Sequence, residues 1–562
     1  MSAETAHVDT FVIDHLPPRE DWPEFVYDLP GLQFPDRLNA ASWLLDDRAS
    51  ADADRACLVT GEFVWTYAQT SVWVNRLAHV LVDDLGVVPG NRVLLVGYNS
   101  PFLVAAWYAV IKAGGVAVAV LPSATENEIA RVVAKARIGV ALCDGRLLAG
   151  LRSARETDGL GMVGVWEEAA SAGEPARVAG SDLVALQVTA ASKPDSFEAV
   201  ATAADDPCLI AYTSGSTGAP KAVVHSHREV AAMCVCFENG ALQPSSEDVF
   251  VGSAPLAFTF GLLSQACYPL HVGASVVLLE HAGSLDLVDG IEEHRATMCF
   301  TVPTAYRTWL RNRRDELSTQ LSTLRVAVSS GEPLSGETWL AFKEATGLAL
   351  VNVLGSTEML HAFLTTGTSP PRPGSLGRPI RGFQMTVLGD DDSELPDDTV
   401  GWLAVKGPSG CRYLDDPRQK LQVRRGWNLT GDLGRRDQEG YYWLVGRDDG
   451  IIVSAGYNIS PEEVEQTLLE HPEVRDCVVV DMPDDLRGSV VVAHVVLGDG
   501  LEPTDDSARR LNEFVSARIA RHKAPLVLEF VDHVPRTATG KVSRRASAHR
   551  APGPLYYVTG QR

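Results

Sequence analysis

The chain has 562 residues, 45% of them apolar and 22% charged, an ordinary globular balance in a length that calls for two or more domains. A formal net charge of −23 excludes non-specific binding to nucleic acid or to anionic membranes, because the global field repels both. Nine cysteines, at 57, 143, 208, 234, 236, 267, 299, 411 and 477, form no CxxC pair; an odd number cannot pair fully within one chain, and buried thiols in a reducing cytoplasm are the expectation.

The N-terminal MSAETAHVDTF carries no basic start and no apolar core, so no signal peptide is expected there. Residues 93–143 alternate VLLVG, FLVAAWYAVIKA, VAVAVL, NEIARVVAKA and VALC. Strands alternating with helices predict a mainly parallel sheet covered on both faces. The apolar run from Phe102 to Leu121 is interrupted by Lys112 and Gly114–Gly115, which predicts a helix turning into a strand rather than a membrane span. Residues 146–200 are rich in Ala, Gly and Ser and read as surface excursions. They include GLGMVG (159–164), a formal GxGxxG, but no strand leads into it, so no dinucleotide site is assigned.

CLIAY (208–212) predicts a buried strand, and AVVHSHREVAAMC after it a helix-like pattern. Strand-like runs return within 249–279, at 298–302 and at 326–328, and the Pro/Gly-rich passage 365–379 marks a change of subdomain. From about Val445 the texture becomes that of a small α+β unit. A helix capped by Ser460 with Glu463 three residues on is followed by strands near 478–481 and 490–497 and a helix near 507–522. The predicted class is α/β: a large N-terminal domain of mainly parallel, helix-covered sheets (1–447) and a small mobile C-terminal α+β domain (448–562).

Between the predicted strand and the apolar run lies YTSGSTGAPK, Tyr212 to Lys221. Its glycines let the backbone approach phosphate closely, its hydroxyls and N–H groups can surround the oxygens, and its lysine adds a compact charge. It departs from GxxxxGK[ST], since Pro220 precedes Lys221 and Ala222 follows it. Gly331–Glu332–Pro333 ends a strand-like run, where a flat base or ribose can meet a sheet edge. NVLGSTEM (352–359) ends in hydroxyls and a carboxylate suited to phosphate and magnesium. LTGD (429–432) offers a carboxylate for ribose hydroxyls, GRDDG (446–450) is a polar joint, and PRTATGK (535–541) carries Lys541. His225 and His227, without further spaced ligands, read as packing or surface residues rather than a metal pair.

With these segments in order over roughly residues 30–548, the chain resembles the adenylate-forming superfamily of acyl-CoA synthetases, non-ribosomal adenylation domains and luciferases. HVDTFVIDHLPPREDWPEF (7–25), APLAFTFGL (254–262) and LGSTEMLH (354–361) look most like benzoate and 2-aminobenzoate CoA ligases. The resemblance implies an AMP-forming acid–thiol ligase that uses ATP, Mg2+ and coenzyme A on a small carboxylic acid, in the cytoplasm, with a homodimer left open. It further implies that Thr213, Ser214, Gly215, Ser216, Thr217, Gly218 and Lys221 hold the β/γ-phosphates. Thr357, behind Gly355 and Ser356, would touch the α-phosphate, and Glu358 would hold the metal. Gly331, Glu332 and Pro333 would line the adenine site, and Asp432 with Arg447 would bind ribose. Lys541 would act in the first step. Rotation about Asp449 would then bring Gly456 and Tyr457 in for the second, and Phe258 and Ala362 would line the acyl pocket.

Ala222, where many relatives have glycine, and Leu354, where many have tyrosine, depart from the pattern without removing a charge. Leu263–Ser264 and Ala362 differ from the aminobenzoate ligases, and the small Ala362 makes room for an acid bulkier than benzoate. Two further readings stay open: a member that only converts a preformed acyl-adenylate to the thioester, and a non-catalytic nucleotide-binding protein. Residues 551–562 extend beyond the usual end.

Overall fold

Among the described residues three sheets build the large part of the molecule, and a four-stranded sheet with the two-stranded hairpin Ile452–Ser454/Tyr457–Ile459 builds the small C-terminal domain, as seen in a computed structural model that describes residues 3–61, 63–157, 159–167, 182–213, 220–280, 283–367, 372–447, 450–498, 501–535, 547–548 and 553–558. The first sheet has seven strands. Their order is Leu183–Ala185, Met162–Trp166, Val140–Asp144, Arg92–Val96, Val116–Val120, Pro207–Thr213 and Lys221–Ser226. All are parallel except the last pair. Arg92–Val96 and Val140–Asp144 are buried at every position, as strands covered on both faces must be.

The helix Pro101–Lys112 is buried at all twelve positions. At 1.5 Å per residue it is too short to cross a bilayer; it is a core helix, and no helix among the described residues is long and apolar enough to cross a membrane. Lys112 at its end is buried but paired, with Asp46 at 2.6 Å and the Asn75 side-chain oxygen at 2.7 Å. That satisfies a charge which would otherwise be costly to bury.

The residues after Lys221 correct one expectation. Lys221–Ser226 is a strand antiparallel to Pro207–Thr213, and the helix begins only at His227. Ser226 accepts from the Glu229 N–H while Glu229 reaches back to the Ser226 N–H, a capping box that fixes the start and leaves β-branched Val223 and Val224 to the sheet. The weakly patterned stretch also contributes two strands of this sheet. GLGMVG runs into the strand Met162–Trp166 instead of following one, and a Cβ on Gly164 would stand 2.7 Å from Leu186 Cδ2; that glycine makes room for packing.

The second sheet has nine strands, in the order Arg378–Pro379, Ala362–Thr365, Leu350–Gly355, Val326–Ser329, Met298–Thr301, Val249–Gly252, Ser275–Val277, Ala56–Thr60 and Phe63–Thr66. Its middle is parallel. Ser330–Pro333 and Ser356–Glu358 therefore leave the carboxyl ends of neighbouring strands, where open α/β sheets place their ligands. A five-stranded antiparallel sheet follows, in which Trp427–Arg436 pairs with Tyr442–Arg447 and sets Asp432 opposite Arg447.

The C-terminal domain packs the helices Pro461–Leu469 and Asp505–Ser516 against the sheet Val474–Asp484, Gly488–Leu497, Val527–Phe530 and Leu555–Tyr557. The second helix ends at Ser516, short of the expected 522. The C-terminal extension has a structural role: Leu555–Tyr557 pairs antiparallel with Val527–Phe530, and the Gly553 N–H donates to Glu529 Oε1 at 2.7 Å.

Candidate active site

Thr213 ends one strand and Lys221 begins the next, directly opposite it. The intervening Ser214, Gly215, Ser216, Thr217 and Gly218 lie outside the described residues. Lys221 Nζ donates to the Tyr413 hydroxyl at 2.9 Å and stands 3.6 Å from Glu358 Oε1. Tyr413 donates in turn to Glu358 Oε1 at 2.6 Å. Tyr413 is fully buried. Burial and the Glu358 charge push its hydroxyl far above the usual phenol range, so it stays protonated and serves as a donor.

Sequence reasoning missed Tyr413, because a tyrosine in CRYLDD carries no local chemical signature; only the fold brings it to Lys221. Gln422 ties this group to the next segment. Its oxygen is 3.2 Å from the Tyr413 hydroxyl and its amide donates to the Leu429 carbonyl, within LTGD. Asp432 at the end of that segment is buried. Its backbone partner in the ladder is Arg447.

GSTEM is a tight turn. Gly355 must be glycine, since a Cβ there would lie 2.6 Å from the His361 carbonyl oxygen. Ser356 Oγ accepts from the Met359 N–H at 3.3 Å, and Leu360 closes the turn with φ +66°. His225 supports the turn from below, its Nε2–H donating to the Thr357 carbonyl at 2.8 Å. Burial and the Arg412 charge hold His225 down to about 3, so it is neutral. Among the described residues no three His, Cys, Asp or Glu stand together as a metal group. Glu358 nevertheless fits magnesium as a single hard oxygen ligand, because Mg2+ commonly takes one carboxylate and completes its shell with phosphate oxygens and water.

Gly331 and Pro333 are exposed at the end of their strand, while Glu332 is buried. The Glu332 carboxylate accepts from Thr304 Oγ1 at 2.7 Å and from Arg307 at 2.7 Å. Its side chain is thus engaged in the protein, and the exposed edge is formed by its neighbours.

The small domain presents its 455–457 loop to this face. A Cβ on Gly456 (φ +82°) would lie 2.7 Å from Val302 Cγ1, and the Tyr457 ring stacks on His522 at 4.0 Å and meets Phe258 at 6.0 Å. Further contacts hold the domains together. Lys523 Nζ donates to Glu128 Oε1 at 2.6 Å, Thr125 Oγ1 to the Arg518 carbonyl at 3.2 Å, and Arg307 Nε to the Leu486 carbonyl at 3.0 Å. Asp449 and Lys541 lie outside the described residues.

Ala362 lines an apolar cavity with Met233, Phe237, Tyr268, Phe300 and His361, which continues past Gly240 toward Thr365 and Ile380. Phe258 stands outside that lining, against Tyr457. The aromatic walls suit a flat apolar body.

Residues 45–412 match the AMP-binding enzyme family and residues 463–541 its C-terminal domain. The chain belongs to the AMP-binding enzyme family. It is an adenylate-forming acid–thiol ligase of the acyl-CoA synthetase kind, which works with ATP and CoA. The benzoate–CoA ligase of Thauera aromatica is 30% identical over 92% of this chain and 96% of its own. A crystal structure of an anthranilate CoA ligase with anthranoyl-AMP is 28% identical, with a TM-score of 0.70 over 92% of this chain and 98% of that one. An amide bond synthetase from Marinactinospora thermotolerans is 27% identical, with a TM-score of 0.80 over 91% and 99%.

Proposed function

We propose that this enzyme activates an aromatic carboxylic acid in two steps. In the first, a carboxylate oxygen attacks the α-phosphorus of ATP and the bond to the bridging oxygen breaks, releasing pyrophosphate. In the second, the CoA thiol, losing its proton, attacks the acyl carbonyl and AMP departs. The Lys221–Tyr413–Glu358 cluster, set where the strands end and linked through Gln422 to the Asp432 segment, is the observation that carries this reading. Lys221 and Glu358 meet there from two sheets, and Gln422 ties them to the strand of a third that bears Asp432, which supports a phosphate side and a ribose side to one site.

In this reading Thr213, Ser214, Ser216, Thr217 and Lys221 grip the β/γ-phosphates, with Gly215 and Gly218 allowing the close approach. Thr357 contacts the α-phosphate, in a turn that Gly355, Ser356 and His225 hold. Gly331 and Pro333 edge the adenine, and Asp432 and Arg447 take the ribose. Glu358 would hold magnesium, which supplies neutralising charge on the phosphates. Lys541 binds the carboxylate and α-phosphate oxygens during the first step.

The domains divide as 1–447 and 448–562 with Asp449 as hinge. The contacts of Gly456 and Tyr457 with Val302 and Phe258 support the present arrangement as that of the second step, with Phe258 at the mouth of the acid site.

The test is to incubate the protein with ATP, Mg2+, CoA and a panel of aromatic acids, reading pyrophosphate and thioester separately. Thioester from a supplied acyl-adenylate without pyrophosphate from any acid would leave only the second half-reaction. Neither product would leave a nucleotide-binding protein. Lys541→Ala is expected to abolish pyrophosphate release while sparing thioester formation from a preformed adenylate; equal loss of both overturns the domain rotation. Because the amide bond synthetase superposes at a TM-score of 0.80, the same assay with an added amine reads whether the acyl group goes to nitrogen instead of sulfur.

A further inference from the structure

The helix Pro303–Asn312 meets the small domain at two points. At its start, Val302 lies where a Cβ on Gly456 would come within 2.7 Å. One turn further on stand Thr304 and Arg307, three residues apart and so neighbours on one helix face. Arg307 Nη2 donates to Glu332 Oε2 at 2.7 Å and to Thr304 Oγ1 at 3.0 Å, and Thr304 donates to Glu332 Oε1 at 2.7 Å. The guanidinium is thus fixed by groups of its own domain. Its Nε–H reaches out of that domain and donates to the Leu486 carbonyl at 3.0 Å.

Leu486 sits at the tip of the hairpin formed by Val474–Asp484 and Gly488–Leu497. Asp484 shapes the tip: its Oδ1 accepts from the Leu486 N–H at 3.0 Å and from the Arg487 N–H at 2.7 Å, the local side-chain turn that aspartate favours. The Arg487 carbonyl accepts in turn from the Ala455 N–H at 3.1 Å. Ala455 has φ +48°, a left-handed backbone that a residue with a Cβ adopts only when its surroundings hold it there. A Cβ built on Gly488 would stand 3.5 Å from Glu332 Oε2 and 3.6 Å from Arg307 Nη2, so the tip is seated against the ion pair. A continuous path therefore runs from Glu332, which lies between the two residues assigned to the adenine edge, through Arg307 and the tip to the 455–457 loop.

We propose that Arg307 is a positioning residue for the thioester-forming step: held by Glu332, it seats the 484–488 tip and, through it, the 455–457 loop. This rests on the ligase reading above, with the docked arrangement serving the second step. Arginine suits the task because its rigid fork presents donors to both domains at once. Lysine keeps a charge opposite Glu332, so that the carboxylate is not left buried and unpaired, but its stem carries no second donor for Leu486.

The test supplies benzoyl- and anthranoyl-adenylate with CoA to read thioester formation, and ATP, Mg2+ and the matching acids to read pyrophosphate. Arg307→Lys is expected to lower thioester formation roughly 10- to 100-fold and to leave pyrophosphate release within about twofold. Asp484→Ala, which unties the tip from the other domain, is expected to give the same split, and Asp484→Asn, which retains the Oδ1 acceptor, to restore most of the loss. Because both residues act through one path, the double variant Arg307→Lys/Asp484→Ala is expected to fall within about threefold of Arg307→Lys alone.

A loss shared equally by both half-reactions, an Arg307→Lys enzyme with full thioester formation, or losses that multiply in the double variant overturn the proposal. Wild-type enzyme that converts neither adenylate overturns the ligase reading, and this inference falls with it.

Discussion

Replacing Glu128 with glutamine is expected to slow the thioester-forming half-reaction and leave the pyrophosphate-forming half alone. Glu128 sits on the large domain and meets Lys523 of the small domain at 2.6 Å, with side chains only 13% and 15% exposed. An exposed pair contributes about 0–1 kcal/mol, whereas removing one partner of a fully buried pair costs about 3–5 kcal/mol. Lys523 keeps Glu463 at 3.0 Å, so the loss lies between these limits, about 1–3 kcal/mol, or a roughly 5- to 150-fold shift in domain docking.

Glutamine keeps the capping box with Thr125, because that motif accepts Glu or Gln, so the helix start survives. The assay supplies purified acyl-adenylate and CoA and follows thioester, then separately follows pyrophosphate. A fall in the first of roughly 5- to 150-fold with the second within about twofold is the expectation. Equal effects on both, or none on either, would refute the latch. Acid provides a second handle. Burial raises the Glu128 carboxyl, but the Lys523 charge and hydrogen bond outweigh it and leave it below its ordinary 4.5. The docking contribution is therefore present above that value and is lost as pH falls through the depressed one, a limb the variant lacks.

Tyr413→Phe removes the hydroxyl between Lys221 and Glu358. A hydrogen bond to a charged group contributes about 1.5–3 kcal/mol, so pyrophosphate release is expected to fall roughly 10- to 150-fold, with thioester formation from supplied adenylate little changed. Gly456→Ala places a Cβ 2.7 Å from Val302 Cγ1 at φ +82°. It is expected to impair the second half-reaction more than the first, and Val302→Ala in the same chain to recover part of the loss; a Gly456→Ala enzyme with normal thioester formation would contradict the contact.

The sheets were legible because buried parallel strands write themselves as apolar runs, and Arg92–Val96, Val116–Val120 and Val140–Asp144 fall where those runs lie. The short strands Met162–Trp166 and Leu183–Ala185 did not show, since a strand near a sheet edge needs little apolar length and Gly164 breaks its pattern. Lys221–Ser226 was hidden for another reason: an apolar run flowing directly into a helix has no turn signal, and only the Ser226–Glu229 box marks the change. The C-terminal strand Leu555–Tyr557 exists only through its partner Val527–Phe530.

The site divides along the same physical line. Residues whose work is done by local backbone geometry, such as Gly355 in its turn, announce themselves in short motifs. Residues that act across the fold do not. Tyr413 is 192 positions from Lys221 and 55 from Glu358, and Lys523 is 395 from Glu128; each pair is made by sheet order or domain docking, which no local pattern encodes. The lining of the apolar cavity belongs to this second kind. His361 follows the phosphate-side turn in sequence, yet its ring is oriented by Phe260 and Tyr268 about a hundred residues earlier. The turn that carries Thr357 and Glu358 is thus the same piece of chain that places His361 beside the cavity, and a Cβ at Gly355 would press against the His361 carbonyl at 2.6 Å. A substitution that relaxes this turn is therefore expected to disturb phosphate chemistry and acid choice together.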